Sequence, residues 1–254
     1  MERSFDALVA EAAAEPTEGW DFSWLDGRAT EERPSWGYQR TMAEHMARAT
    51  AALDIGTGGG EVLAGVPERP RTTVATESWP PNIAAATRLL HPLGVPVVAT
   101  EEGRPLPFAD GAFDLVVSRH PVATRWEEIA RLLAPGGTYL SQQVGPESVF
   151  EVVEFFLGPR PEEDRRSRHP DDARRAAEAA GLDVVDLRTE RLHTEFLDVG
   201  AVVYFLRKVI WMVPGFTVDA HRGRLLDMHE HIRREGAFTA TTTRFLIEAR
   251  KPRD

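Results

Sequence analysis

The chain has 254 residues, which suits one α/β domain with insertions or two small domains and is long enough to bury a substantial core. It has no cysteine, so disulfides, thiolate metal sites and cysteine nucleophiles are excluded. With 40 acidic against 30 basic residues the net charge is -10, which opposes a nonspecific hold on phosphate backbones. Lys208 and Lys251 are the only lysines, so the basic side is almost all arginine.

The acidic start "MERSFDALVAEAAAEPTEGW" has no apolar signal-peptide core, and no window reaches the roughly 18 apolar residues of a membrane span. A cytoplasmic protein with no membrane association is expected. In chain order, "SFDALVAEAAAE" has helical spacing, "GWDFSWLDGRATEERPSWGYQR" is rich in Trp, Gly and Pro, and "TMAEHMARA" resumes a helix. "TAALDI" reads as the first strand. After a glycine run come a short helix, the strand "TTVATE", the helix "PPNIAAATRLL" and the strand "VPVVAT". "FDLVVSRH" is the fourth strand, "EEIARLLAPGG" a helix closed by glycines, and "TYLSQQVG" the fifth strand.

Beyond Gly145 the reading gives a helix near Val149 to Phe156, a charged linker "GPRPEEDRRSRHP", and a helix "DDARRAAEAAGL" with Asp171 or Asp172 near its cap. "DVVDLRTERL" and "TTTRFLIEARKP" are the last two strands. Between them lie the apolar helix "VGAVVYFLRKVIWM", a "VPGF" turn and the amphipathic helix "AHRGRLLDMHEHIRREG". This alternation implies a doubly wound, mostly parallel sheet of seven strands, which binds ligands beyond the carboxyl ends of its strands.

The glycine run "ALDIGTGGGE" (52–61) falls at such an end. A dinucleotide fingerprint would need glycine where Glu61 stands, and a carboxylate there would repel a pyrophosphate. A phosphate-binding P-loop would need Gly-Lys-Ser/Thr, and no lysine is near. What remains is Asp54-x-Gly56-x-Gly58-x-Gly60. It resembles the first motif of class I S-adenosylmethionine-dependent methyltransferases, whose fold is Rossmann-like. The resemblance is strong over Leu53 to Leu140 and extends to "LPF", the Phe113-Asp114 pair and the "LLAPGGTYL" turn.

The resemblance implies that S-adenosylmethionine, leaving as S-adenosylhomocysteine, is held by Asp54, Gly56, Thr57, Gly58 and Gly60. Glu77, followed by Ser78, would accept from the ribose hydroxyls, and Glu101 or Glu102 would meet the adenine amino group. Arg119 is placed beside the cofactor, with a substrate carboxylate or a structural salt bridge as its other readings. The likeness is to the bacterial small-molecule branch that includes quinone-ring and carboxyl methyltransferases. Residues 1–49 would be a helical, aromatic lid on a cofactor-binding domain at 50–254, and 198–240 a substrate-covering insertion. Trp20, Trp24, Trp36, Tyr38 and Tyr204 are the expected substrate-binding aromatics.

A sulfonium methyl is already activated, so placement of the nucleophile supplies most of the rate, roughly 7–11 kcal/mol, and a general base adds to it. His120, closing "SRH" at the fourth-strand end, is the expected base. His229 and His231 are two apart on a helix and point to different sides, so no metal site is expected. The function expected is methyl transfer to O, N or activated C of a small metabolite, by a monomer or homodimer, with nucleic acid an unlikely partner. The alternatives are an rRNA or tRNA base methyltransferase, disfavoured because "SRHP" is not an Asn/Asp-Pro-Pro-Tyr/Phe motif, and a noncatalytic cofactor-binding adaptor.

Overall fold

Period-two apolar runs decide the sheet, and the helices cover its faces. The computed structural model describes residues 3–19 and 21–253. In chain order the elements are α1 (Phe5–Ala14), β1 (Ala29–Glu31), α2 (Tyr38–Met46), β2 (Ala51–Ile55), α3 (Glu61–Ala64), β3 (Thr72–Glu77), α4 (Pro80–Leu90), β4 (Val97–Ala99) and β5 (Phe113–Arg119). Then come α5 (Trp126–Leu132), β6 (Leu133–Val144), α6 (Phe150–Leu157), α7 (Glu162–Arg166), α8 (Pro170–Ala179), β7 (Asp183–Phe196), α9 (Val199–Lys208), α10 (Arg222–Glu235) and β8 (Phe238–Arg250). Among the described residues eight strands hydrogen-bond in the order β1-β7-β8-β6-β5-β2-β3-β4.

The chain divides into two compact units. The larger comprises Pro34–Gly145, Arg168–Glu190 and the chain from Arg244 on; the smaller comprises the chain up to Arg33, Pro146–Ser167 and Arg191–Thr243. In the larger unit β2 pairs in parallel with β3 and β5, β3 with β4, and β5 with β6, while β6 pairs antiparallel with β8. Alternation along β5 sends Leu115 and Val117 to a cluster with Met42 and Met46 of α2 and Leu90 of α4. It sends Val116 to another with Ile129 and Leu132 of α5 and Ala177 of α8, which Phe113 joins because the β5 register shifts between Phe113 and Leu115. Asp114 staples the start of β2: its carboxylate accepts from Thr50 N (2.9 Å), Thr50 Oγ1 (2.6 Å) and Ala51 N (2.9 Å). Lys251 Nζ donates to Ala130 O (2.7 Å) and Leu133 O (2.8 Å), satisfying carbonyls that the end of α5 leaves open.

In the smaller unit α1, with Ser4 at its N-cap, packs Phe5, Leu8 and Ala12 into a core shared with α9 and with Leu225, Met228 and Ile232 of α10. At Gly200 a Cβ would stand 2.8 Å from Leu8 O, so glycine sets how closely α9 meets α1. Lys208 Nζ, buried, donates to Tyr204 Oη at 3.1 Å.

The eighth strand, β1, departs from the seven expected: three residues are too short to show a period, and antiparallel pairing with β7 makes them a strand. The expected helix through "LAPGG" ends instead at Leu132, because Gly136 N donates to Lys251 O (2.9 Å) and Lys251 N to Gly137 O (2.9 Å). The charged linker contains α7, and the α8 cap is His169, whose Nδ1 accepts from Asp171 N at 3.2 Å, rather than an aspartate. Residues 34–49, expected with the N-terminal extension, group with the larger unit.

Gly60 has φ +90°, and a Cβ there would lie 2.9 Å from Leu90 Cγ. Gly94 has φ +76° with nothing within 4 Å of an added Cβ. Gly94→Ala therefore measures the backbone cost alone, about 1–2 kcal/mol, and Gly60→Ala adds an overpacking cost of about 1–3 kcal/mol. Urea unfolding of the two variants is the check; equal losses would remove Leu90 from the account.

Candidate functional site

Two parallel neighbours, β2 and β3, carry buried carboxylates at their ends, Asp54 one residue before the end of β2 and Glu77 as the last residue of β3. Between them the chain turns through Gly56 (φ +65°), Thr57 and Gly58 (φ +64°), backbone that side chains rarely adopt. A Cβ added at Gly56 or Gly58 meets nothing within 4 Å, so both glycines present bare backbone to open space. Thr57 N donates to Thr76 O (3.0 Å), and Thr57 Oγ1 to Asp54 Oδ2 (2.7 Å). Gly58 N donates to Glu77 Oε2 (2.8 Å).

Glu77 also accepts from Ser78 N (2.8 Å), Trp79 N (3.2 Å) and the buried Asn82 Nδ2 (3.4 Å), so four donors hold one carboxylate at the head of α4. Asn82 was not singled out from sequence; its buried amide inside the helix "PPNIAAATRLL" was the available signal. Asp54 is differently placed. Burial pushes its carboxyl up to about 6, with the Thr57 bond opposing and the Glu77 charge adding.

Glu101 and Glu102 stand in the exposed turn after β4, where Thr100 N donates to Glu77 O at 2.9 Å. Glu101 pairs with Arg104 across 3.5 Å. Arg119 is exposed at the end of β5, and the next residue, His120, is partly buried with φ +52°. His120 N donates to Gln142 O (2.7 Å), and its Nε2 lies 2.9 Å from Gln142 Nε2. Gln142 Oε1 accepts from Trp36 Nε1 at 2.8 Å. Burial first, then the positive charges of Arg119, Arg244 and Arg168, hold the His120 imidazole well below its ordinary range. Tyr38 Oη donates to Ser118 O at 2.9 Å on the same strand.

Trp36 and Tyr38 are thus both buried and tied to β5 and β6. Trp24 and Tyr204 belong to the smaller unit, with ring centroids 4.8 Å apart. Tyr204 Oη donates to Asp21 O at 3.2 Å. Trp20 lies outside the described residues. His229 packs on Phe5 and His231 on Phe238, and among the described residues no group of three His, Asp or Glu is arranged to hold a metal. Gln142 was not singled out either; the signal was an amide at a buried position of the strand "TYLSQQVG".

Residues 53–141, the glycine loop through β6, match the family profile described as a methyltransferase domain. The chain carries a methyltransferase domain. No curated protein matches the sequence. Among solved structures, a provisionally assigned methyltransferase of Bacillus halodurans C-125 shares 19% identity over 86% of this chain and 99% of its own, with a TM-score of 0.59. The YcgJ protein of Bacillus subtilis shares 17% over 85% and 98%, with a TM-score of 0.60. SpnF, a (4+2) cyclase, shares 17% over 96% and 91%, with a TM-score of 0.54. Since one of these is a cyclase, their likeness speaks for the fold, and the reaction rests on the methyltransferase domain. The matched domain and the shared fold agree with the sequence likeness to the class I S-adenosylmethionine-dependent methyltransferases.

Asp54 yields a pH prediction. Its folded pKa of about 6 lies above the ordinary 3.8, so the unfolded chain releases the proton first and stability falls as pH rises from about 4 to about 6. The loss reaches about 3 kcal/mol at pH 7. Asp54→Asn keeps an oxygen for Thr57 and removes the charge. It is expected to stabilise the ligand-free protein at neutral pH and to match wild type below pH ~4. Urea titrations at both pH values decide; no gain at neutral pH would mean that the charge is compensated in the fold.

Proposed function

We propose that this methyltransferase domain binds S-adenosylmethionine at the ends of β2, β3 and β4 and transfers its methyl group to O, N or activated C of a small metabolite. The observation that carries the reading is the open glycine backbone at Gly56 and Gly58, set between Asp54 and Glu77 inside the matched domain. A bare-backbone turn flanked by two acceptors suits a ligand with an ammonium and a diol and no phosphates. Asp54 would take the ammonium side, where a nearby cation favours the ionised carboxyl that the ligand-free fold disfavours. Glu77 would accept from the ribose hydroxyls, exchanging part of its four-donor shell, and Thr57, Gly60 and Ser78 shape the same turns. The exposed Glu101 and Glu102 both stand within the turn proposed to meet adenine, and Arg119 at the β5 end is assigned to the cofactor side.

The cofactor, when bound, supplies a methyl on a sulfonium. The remaining task is to place and deprotonate the acceptor, and we assign the acceptor side to His120. A depressed pKa keeps this imidazole neutral at physiological pH, the form that a proton acceptor requires. Trp24 and Tyr204 of the smaller unit are proposed for acceptor selection. Trp36 and Tyr38, proposed from sequence for the same role, would act from behind the β5 and β6 ends through Gln142 and Ser118. The acidic net charge favours a small metabolite over nucleic acid.

Calorimetric titration with S-adenosylmethionine should show saturable binding, weakened tenfold or more in Glu77→Ala, since hydrogen bonds to a carboxylate contribute about 1.5–3 kcal/mol each. Absence of binding by a folded wild type would remove the cofactor assignment, and unchanged affinity in the variant would remove the ribose role of Glu77. The acceptor is to be found with labelled cofactor in metabolite extracts, identifying products by mass spectrometry. On that acceptor His120→Ala should lower turnover by about 10²–10⁴-fold at preserved cofactor affinity; a loss below about threefold would leave placement alone driving transfer.

A further inference from the structure

The contacts of His120 specify more than its location. The indole Nε1–H of Trp36 donates and cannot accept, so the Gln142 atom 2.8 Å from it must be the carbonyl oxygen. That fixes the orientation of the amide. The opposite end of Gln142, 2.9 Å from His120 Nε2, is then the NH2 group, which donates and cannot accept. His120 Nε2 must therefore carry its lone pair toward Gln142, and the single proton of the neutral ring sits on Nδ1.

The pieces are held firmly. Ser35, just before Trp36, donates through its N (2.9 Å) and Oγ to the carboxylate of Glu190. Arg40 Nη2 and Thr41 Oγ1 donate to Trp36 O at 3.0 and 3.1 Å. Gln142 is buried on β6, and its own carbonyl accepts from His120 N, so main chain and side chain of one residue grip both ends of the other.

We infer that Trp36 and Gln142 are positioning residues that lock His120 in the Nδ1–H tautomer in the ligand-free protein, so that Nε2 takes a proton from a bound acceptor only by giving up its bond from Gln142. The charged groups acting on the ring are Arg119 of β5, Arg244 of β8 and Arg168 ahead of α8. All three are cationic, and they favour the same neutral ring that the Gln142 donor requires. The consequence for catalysis rests on the assignment of His120 to the acceptor; the tautomer itself does not.

The test is long-range ¹H–¹⁵N correlation of the histidine rings in the full-length protein, with His120 identified by its loss in His120→Asn. Wild type should show a protonated Nδ1 and an unprotonated Nε2 at neutral pH. Gln142→Glu still accepts from Trp36 but replaces the donor by a carboxylate. It should move the proton to Nε2 and raise the His120 pKa by about one unit or more, with the pH profile of turnover shifting in the same sense. Trp36→Phe keeps the ring without the N–H and should release the amide, lowering the Nδ1–H share by about tenfold. A wild-type proton on Nε2, or a tautomer unmoved in both variants, overturns the inference. If His120→Ala keeps full turnover while the Nδ1–H signature stands, it is the catalytic assignment that fails.

Discussion

The site depends on two negative charges buried at adjacent strand ends. Asp54 and Glu77 lie at the ends of β2 and β3, each is nearly inaccessible, and the Glu77 charge adds to the cost of ionising Asp54. The fold answers with unequal means. Glu77 receives four donors at the head of α4, whereas Asp54 receives one hydroxyl, from Thr57. The glycine turn holds the pair: Thr57 bonds back to Asp54 and Gly58 forward to Glu77. Its conformation is thus set by the carboxylates as much as by the freedom of its glycines. A cationic ligand group beside Asp54 would relieve the residue that the ligand-free protein leaves least satisfied.

This part of the molecule was legible because its signals are local. Positive φ at Gly56, Gly58 and Gly60 demands glycine, and "PPNIAAATRLL" carries proline at its first turn, so loop and helix read directly. What the sequence hid depends on distant partners. The "LAPGG" segment has the look of a helix ending in glycines and is a strand because the chain near Lys251 lies alongside it. Three residues at Ala29–Glu31 have no period to read. Gln142 meets Trp36 across 106 positions, so its role is set by tertiary structure alone. Glu101 and Glu102 stand side by side in one exposed turn, where spacing from "LPF" points to Glu102 with Glu101 as its rival.

Charge is distributed against its own average. The chain is strongly acidic, yet the imidazole at the β5 end feels three guanidiniums from three different segments. A net charge describes how a protein behaves toward bulk solvent and distant polymers; the field inside a cleft is set by a handful of neighbours. Here the two have opposite sign.

The lysines described earlier have a practical consequence. Both amines are engaged within the fold, Lys208 with the Tyr204 hydroxyl and Lys251 with two carbonyls at the end of α5, and the remaining cations are arginines. Reagents that acylate side-chain amines would find almost nothing to modify on the folded protein, so lysine-directed cross-linking, dye attachment and surface coupling report its unfolding before they report its surface. With no cysteine either, a handle for attachment has to be introduced, and the exposed Val185 of β7 offers a position for one.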